Sequence, residues 1–248
     1  MSRASRAIKK TGRIIKWLAA ALIAFVCGFL FWRIISSGDP ASMKLLSVNE
    51  HTYEAYMENG EELTLFTQEQ NSITRAENNY GYFSVTNHVL IPEANQIQLV
   101  FRYNNSTIRA LVEDYALAQT PSRDEELYDV TLLLAIDLTP EDTSDNAGND
   151  KSSVRFVRVH ASSAPKAEQS TLYNYRRFVF DVGESGEDLA ALMDSGLLLA
   201  VYTDIYYVGD CDYEKTPYGT LCLYDYQSKN VTVKLTSEDR RALKEFGN

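Results

Sequence analysis

The sequence predicts a mainly β protein: a single N-terminal transmembrane helix followed by an antiparallel β-sandwich ectodomain with small peripheral helices. Three observations carry that expectation. An uncharged apolar run, Trp17–Trp32, stands near the start behind a basic arm. Beyond it, apolar residues recur at alternate positions in about ten short stretches separated by turn residues. The chain also holds 16 Tyr and 10 Phe but only 6 Pro, a composition that suits pleated, half-buried surfaces and not a disordered stalk.

The organisation read from these patterns is a basic arm at 1–13, a transmembrane helix at 14–35, a juxtamembrane linker and short helix at 36–60, and the sandwich at 61–248. At about 1.5 Å per residue the uncharged run reaches roughly 24 Å, short of a hydrocarbon core of about 30 Å. Including Lys16 and Arg33, whose long side chains can snorkel, and the isoleucines beyond them brings it to about 33 Å. Trp17 and Trp32 stand at the two ends as interfacial aromatics do. Six basic and no acidic residues precede the run, which places the N-terminus in the cytoplasm and the bulk of the chain outside. A cleaved signal peptide is the competing reading. Ser36-Ser37-Gly38 offers small residues for a cleavage site; Trp32-Arg33 does not.

In chain order, Ser47-Val-Asn-Glu50 matches a capping box, and Tyr53, Tyr56 and Met57 follow at helical spacing until Asn59-Gly60. Leu63–Thr67 and Tyr80–Leu90 read as strands, turned by Pro92–Asn95. Ile97, Leu99, Phe101 and Tyr103 alternate into Asn104-Asn105, which predicts a two-residue hairpin pairing Phe101 with Ile108, Leu99 with Ala110 and Ile97 with Val112. Tyr128–Leu138 is the longest strict alternation and predicts a central strand. Val154–His160 and Leu172–Val182 follow as strands. Ser185–Asp188 opens a short helix closed by Gly196, and Leu197–Val208 is a long apolar strand. Gly219–Tyr226 and Asn230–Leu235 predict a last hairpin around Ser228-Lys229, and Ser237 starts a C-terminal helix. Helices do not alternate regularly with strands, so an antiparallel sandwich is expected and a doubly wound sheet is not.

Charge limits the partners. The chain has 24 basic and 34 acidic residues. Setting aside the six basic residues at the N-terminus leaves 18 against 34, a balance of about −16. An exterior so acidic is unsuited to nucleic acid, which needs a basic stripe, and suits cations or a basic partner.

Candidate chemistry is sparse. Cys211 and Cys222 flank a loop with Pro217 and Gly219; on the oxidising side of a membrane they are a candidate disulfide worth about 3 kcal/mol. The alternative is a free, buried Cys222 on an apolar strand face. His51, His88 and His160 have no metal-ligand spacing, and no cofactor is expected. Glu141–Asp150 and Gly209–Glu214 are oxygen-rich, but the first fails the EF-hand pattern and reads as a solvated loop. Ser163-Ala-Pro-Lys166 fits Ser-x-x-Lys without companion motifs and reads as a loop. Tyr206, Tyr207, Tyr213 and Tyr218 lie in a tyrosine-rich third and are the candidate binding surface.

Gly219-Thr220-Leu221-Cys222 ends a strand, with His160 upstream and Arg240 downstream. This resembles the sortase family, whose anchored β-barrels carry a Cys, a His and an Arg. The resemblance covers a few residues: the Thr before the Cys is missing, and Arg240 falls on a helix instead of the next strand. It would imply a cysteine transpeptidase. The leading expectation is a membrane-anchored extracytoplasmic protein, integral with one span, with a non-catalytic binding or scaffolding role in the cell envelope or a membrane complex. Its partner would be another protein or an envelope component. The alternative is an anchored envelope enzyme, either sortase-like or a carboxylate-based hydrolase.

Overall fold

The computed structural model describes residues 16–32, 38–68, 83–123, 125–138 and 154–247. In chain order these form helix α1 (16–32), α2 (Ala41–Lys44), α3 (Glu50–Asn59), strands β1 (Leu65–Gln68), β2 (Ser84–Ile91) and β3 (Gln96–Asn104), and α4 (Asn105–Asp114). Then come β4 (Tyr128–Asp137), β5 (Val154–Val159), β6 (Lys166–Gln169), β7 (Tyr173–Asp181), α5 (Leu189–Asp194), β8 (Leu198–Tyr207), β9 (Gly219–Asp225), β10 (Asn230–Val233) and α6 (Ser237–Phe246).

The protein is mainly β, with two antiparallel sheets. The larger has the order β10-β1-β2-β3-β7-β6 and the smaller β5-β4-β8-β9. They share one core. Ile97, Leu99, Phe101 and Tyr103 of β3 and Phe178 and Phe180 of β7 meet Tyr128, Val130, Leu132, Leu134 and Ile136 of β4, with Val201 and Ile205 of β8. Period-2 alternation puts these residues on one face, and burying each large side chain contributes about 1.5–3 kcal/mol. One end of the core is an aromatic cluster, in which the Tyr128 ring meets Phe83 and Tyr103 edge-on, each at 5.0 Å.

The outer face of the six-stranded sheet is also covered. The segment after α1 lies across it: Met43 packs on Val100 and Tyr175, and Gln98 bonds both the amide and the carbonyl of Ser47 at 2.8 Å. α3 and α6 close the adjacent part with Leu46, Ala55, Leu65, Ile91, Leu235 and Leu243. Two polar side chains on β3, Gln96 and Gln98, are thus buried with partners, as buried polar groups must be.

Several elements follow the sequence and several correct it. α3 stops at Gly60 as expected, but its N-cap is Asn49, in a reciprocal box with Thr52, and not Ser47. The Asn104-Asn105 hairpin is not formed. Asn104 is extended, at φ −130°, and caps α4 in a box with Thr107, which buries Ile108 and Leu111 against the core. β3 instead pairs with β2 and β7. The last hairpin is also absent. The chain turns after Asp225, then crosses to the other sheet, where β10 pairs with β1. Gln68 explains the crossing, because its carboxamide bonds the Asp225 carbonyl, the Asp225 amide and the Asn230 side chain.

α1 presents exposed apolar side chains, with Trp17 73 % and Trp32 48 % exposed. Among the described residues no helix is long and apolar enough to cross a membrane. Arg33, the rest of the 14–35 span, the Glu141–Asp150 loop and the start of the Tyr80–Leu90 strand lie outside the described residues.

Candidate functional site

A cleft lies on the outer face of the six-stranded sheet. Lys44–Leu46 form one side, and Val233, Lys234, Thr236 and Asp239 the other; Thr67, Asn87, Val89, Gln98, Val100 and Arg177 line the sheet between them. Its volume is about 100 Å³.

Arg177 is its central charge. Arg176 and Arg177 are neighbours on β7, so their side chains take opposite faces. Arg176 turns toward the space between the sheets and donates to the Glu125 carbonyl at 3.2 Å. Arg177 turns outward, opposite Val100 on β3 and Lys166 on β6, and is only 5 % exposed. Its Nη2 donates to the Ser42 carbonyl. Burial pushes its pKa down, while Asp239 and Glu168 act in the opposite direction. Among the described residues, however, no ion pair within 4.0 Å includes it. A guanidinium stays protonated in proteins, so the cleft holds a buried cation without a contacting counter-charge.

Both neighbouring carboxylates are engaged elsewhere. Asp239 Oδ1 accepts from the Leu46 amide at 2.7 Å. Its Oδ2 accepts from the Thr236 amide at 3.0 Å and the Thr236 hydroxyl at 2.6 Å. Asp239 thereby fastens the post-helix segment to the start of α6. Glu168 accepts from the Ser42 hydroxyl. With Lys44 and Lys234 at the cleft, three cations face one carboxylate in a chain of net charge −10.

Beneath this face, His88 joins the sheets. Its Nε2 accepts from the Gln68 amide at 3.3 Å, at a place where β1 and β2 share a single bridged pair, Phe66 with Leu90. The Leu223 carbonyl of the other sheet acts on the ring in the direction that raises its pKa. An Nε2 that accepts from an amide N–H belongs to a neutral imidazole, and burial outweighs the carbonyl and pushes the pKa down to about 4.

A second polar constellation lies on the outer face of the four-stranded sheet. Arg158 Nη1 donates to Tyr206 Oη at 2.8 Å and Thr131 Oγ1 at 3.0 Å, and approaches Asp204 at 3.5 Å. Thr220 donates to Asp204 at 2.8 Å. Tyr213 donates to Asp129, and this bond, with burial, raises the phenol's pKa. The network is closed on itself and holds the Tyr213 loop to the sheet.

The four candidate tyrosines therefore do not form one surface. Tyr206 is 3 % exposed and packs with Tyr213 at 5.2 Å over Arg158. Tyr207 takes the other strand face against Tyr115 at 4.7 Å. Tyr218 meets Tyr115 at 5.8 Å and bonds Asp114. Adjacent strand residues always divide between faces, which separates 206 from 207.

Cys211 and Cys222 are free, and the disulfide is not present. Cys222 pairs with Tyr202, five positions before the end of β8, whereas Cys211 lies beyond that end. Cys211 Sγ reaches back to Asp129 at 3.9 Å, which pairs with Tyr206, four positions from Tyr202; at about 3.3 Å per residue this separates the two cysteines by roughly 13 Å, far beyond disulfide reach. Cys222 is buried and donates to the Tyr224 carbonyl; burial and Asp225 raise its pKa. Arg158, Leu133, Tyr202 and Cys222 form one row across β5, β4, β8 and β9, so Cys222 stands about 14 Å from the β5 end of that row. His160 lies beyond β5, against Tyr213 at 4.8 Å, and Arg240 pairs with Glu61 on the other sheet's side at 3.6 Å. The Cys, His and Arg of the sortase-like pattern are not brought together. Among the described residues no group of three or more His, Cys, Asp or Glu is placed to hold a metal ion.

Arg177 is the residue that the sequence pattern did not single out. The available signal was Arg176-Arg177 inside the alternation of Tyr173–Asp181: two adjacent charges in a buried strand cannot both reach solvent. The chain matches no family model, no characterised protein and no solved structure.

Proposed function

We propose that this is a single-pass, membrane-anchored binding protein with its N-terminus in the cytoplasm. Its extracytoplasmic β-sandwich takes a ligand in the cleft over the six-stranded sheet. The observation that carries the reading is Arg177, a cation 5 % exposed beside an opening and without a carboxylate in contact among the described residues. Leaving a buried charge uncompensated costs several kcal/mol, and a charge kept that way at a cleft is suited to a counter-charge from outside. Separation of Cys222, His160 and Arg240 supports binding over transpeptidation.

The anchor rests on the Trp17–Trp32 run, its basic flank and the exposed apolar surface of α1. In this reading Lys16, Trp17, Trp32 and Arg33 mark the two headgroup levels. Lys44 at the cleft lies 12 residues past Trp32, so the binding site is close to the bilayer. The partner is an envelope component or another protein that presents the ligand group.

Two measurements test this. Protease added outside intact cells is expected to degrade the sandwich; full protection would refute the orientation. Thermal denaturation of the full chain in detergent micelles, screened against small molecules, is expected to find ligands that raise the Tm of the parent chain. The same ligands should do nothing for a Val89→Phe variant, which fills the cleft. Equal shifts in both would place binding elsewhere.

A further inference from the structure

Resting on the cleft's reading as a binding site, we infer that its ligand group is a carboxylate carried on a short aliphatic tail. Arg177 supplies the head. A guanidinium has five N–H donors in a planar fork that matches a carboxylate two-to-two, and the Ser42 carbonyl engages only Nη2. The fork stands on β7, which is paired on both sides, with β3 and with the edge strand β6, a rigid mount that needs little reorganisation on binding. Asp239 and Glu168 are each bonded to other donors and leave the guanidinium open to an external anion. Lys44 and Lys234 at the cleft attract that anion into a protein that otherwise repels it.

The walls supply the rest. Leu46, Leu65, Val89, Val100 and Val233 make the cleft mostly apolar around its cationic floor. A volume of about 100 Å³ takes on the order of half a dozen heavy atoms, which is a four-carbon acid. Phosphate fits less well. The Asp239 carboxylate, held at the cleft by the Leu46 and Thr236 amides, opposes a dianion more than a monoanion. The carboxylate comes either from a free short-chain acid or from the C-terminus of a peptide ending in a small aliphatic residue.

Calorimetric titration of the full chain in detergent micelles with butyrate, butanol, butylammonium and phosphate tests the assignment. A second arm uses acetyl-Ala-Val as the acid and as the amide. Butyrate is expected to bind while butanol and butylammonium do not. A peptide acid that binds more tightly than butyrate, with an inert amide, supports the chain-terminus source; binding of butyrate but not of the peptide acid supports the free-acid source. Arg177→Gln is expected to weaken binding at least ten-fold. If that variant does not fold, Lys44→Gln with Lys234→Gln is expected to weaken it a few-fold and reduce its salt dependence. Preference for phosphate, or equal binding of butanol, overturns the carboxylate while leaving a ligand cleft in place. Butyrate binding unchanged in the variants, or no binding by any probe, also overturns it, and the Val89→Phe screen then decides the cleft independently.

Discussion

Acidification should destabilise this protein through His88 more than its exposure to solvent would lead one to expect. The imidazole is 4 % exposed and replaces a missing ladder bond by accepting from the Gln68 amide. A proton on Nε2 would remove that acceptor and place a charge between two sheets. Its pKa falls from 6.5 to about 4 in the fold. Above pH 6.5 the ring is neutral in both folded and unfolded chains and there is no penalty. Between 6.5 and 4 the unfolded chain takes up a proton that the folded one refuses, so stability falls as pH falls. Below 4 both forms are protonated and the loss is complete. Each tenfold change in proton affinity is worth about 1.4 kcal/mol, so the total is about 3 kcal/mol. The assay is urea unfolding of the full chain in micelles, followed by far-UV circular dichroism from pH 7.5 to 4. It is run in parallel on His88→Gln, whose carboxamide can accept from Gln68 but does not titrate. The stability of the parent relative to the variant should drop by about 3 kcal/mol across that window. A difference that stays constant with pH would refute the account of His88.

Two further outcomes follow from the corrected elements. Asn104→Ala removes the cap of α4 and should cost about 1 kcal/mol, whereas Asn104→Gly should cost only a few tenths; a hairpin at this position would instead be stabilised by glycine, and the Tm of the two variants separates these cases. In a Cys27→Ser background, Cys211 should react with a maleimide in the native protein and Cys222 only after unfolding, with no change on adding reductant; labelling that requires reductant would restore the disulfide.

The limits of the sequence pattern show at particular residues. Strand β4 was legible because apolar residues fall at every second position from Tyr128 to Ile136, and α3 because a periodic face and Gly60 coincide. Asn104-Asn105-Ser-Thr was misleading because the same four residues hold a turn dipeptide and an Asn-x-x-Thr cap. What selects the helix is its apolar face: Ile108 and Leu111, three apart, are buried in the core between the sheets. At β9 and β10 the strands were legible and their partners were not. Alternation sets which side chains share a face but says nothing about which edge they meet. The candidate tyrosines were grouped by nearness in sequence, and the alternation of a strand divided them.

The sequence by itself determined the period of each element, most of its boundaries, the acidic surface and the apolar character of the Trp17–Trp32 run. These depend on neighbouring residues and on composition, so they are written locally. The tertiary structure alone decided that β10 joins β1, that the two cysteines are far apart, that His88 bridges the sheets and that Arg177 is buried at a cleft. Each of these depends on groups distant in the chain: Arg177 lies on the Ser42 carbonyl, 135 residues away, and Asp239 on the Leu46 amide, 193 residues away. Such contacts form only when the sheets have closed, and no local pattern encodes them.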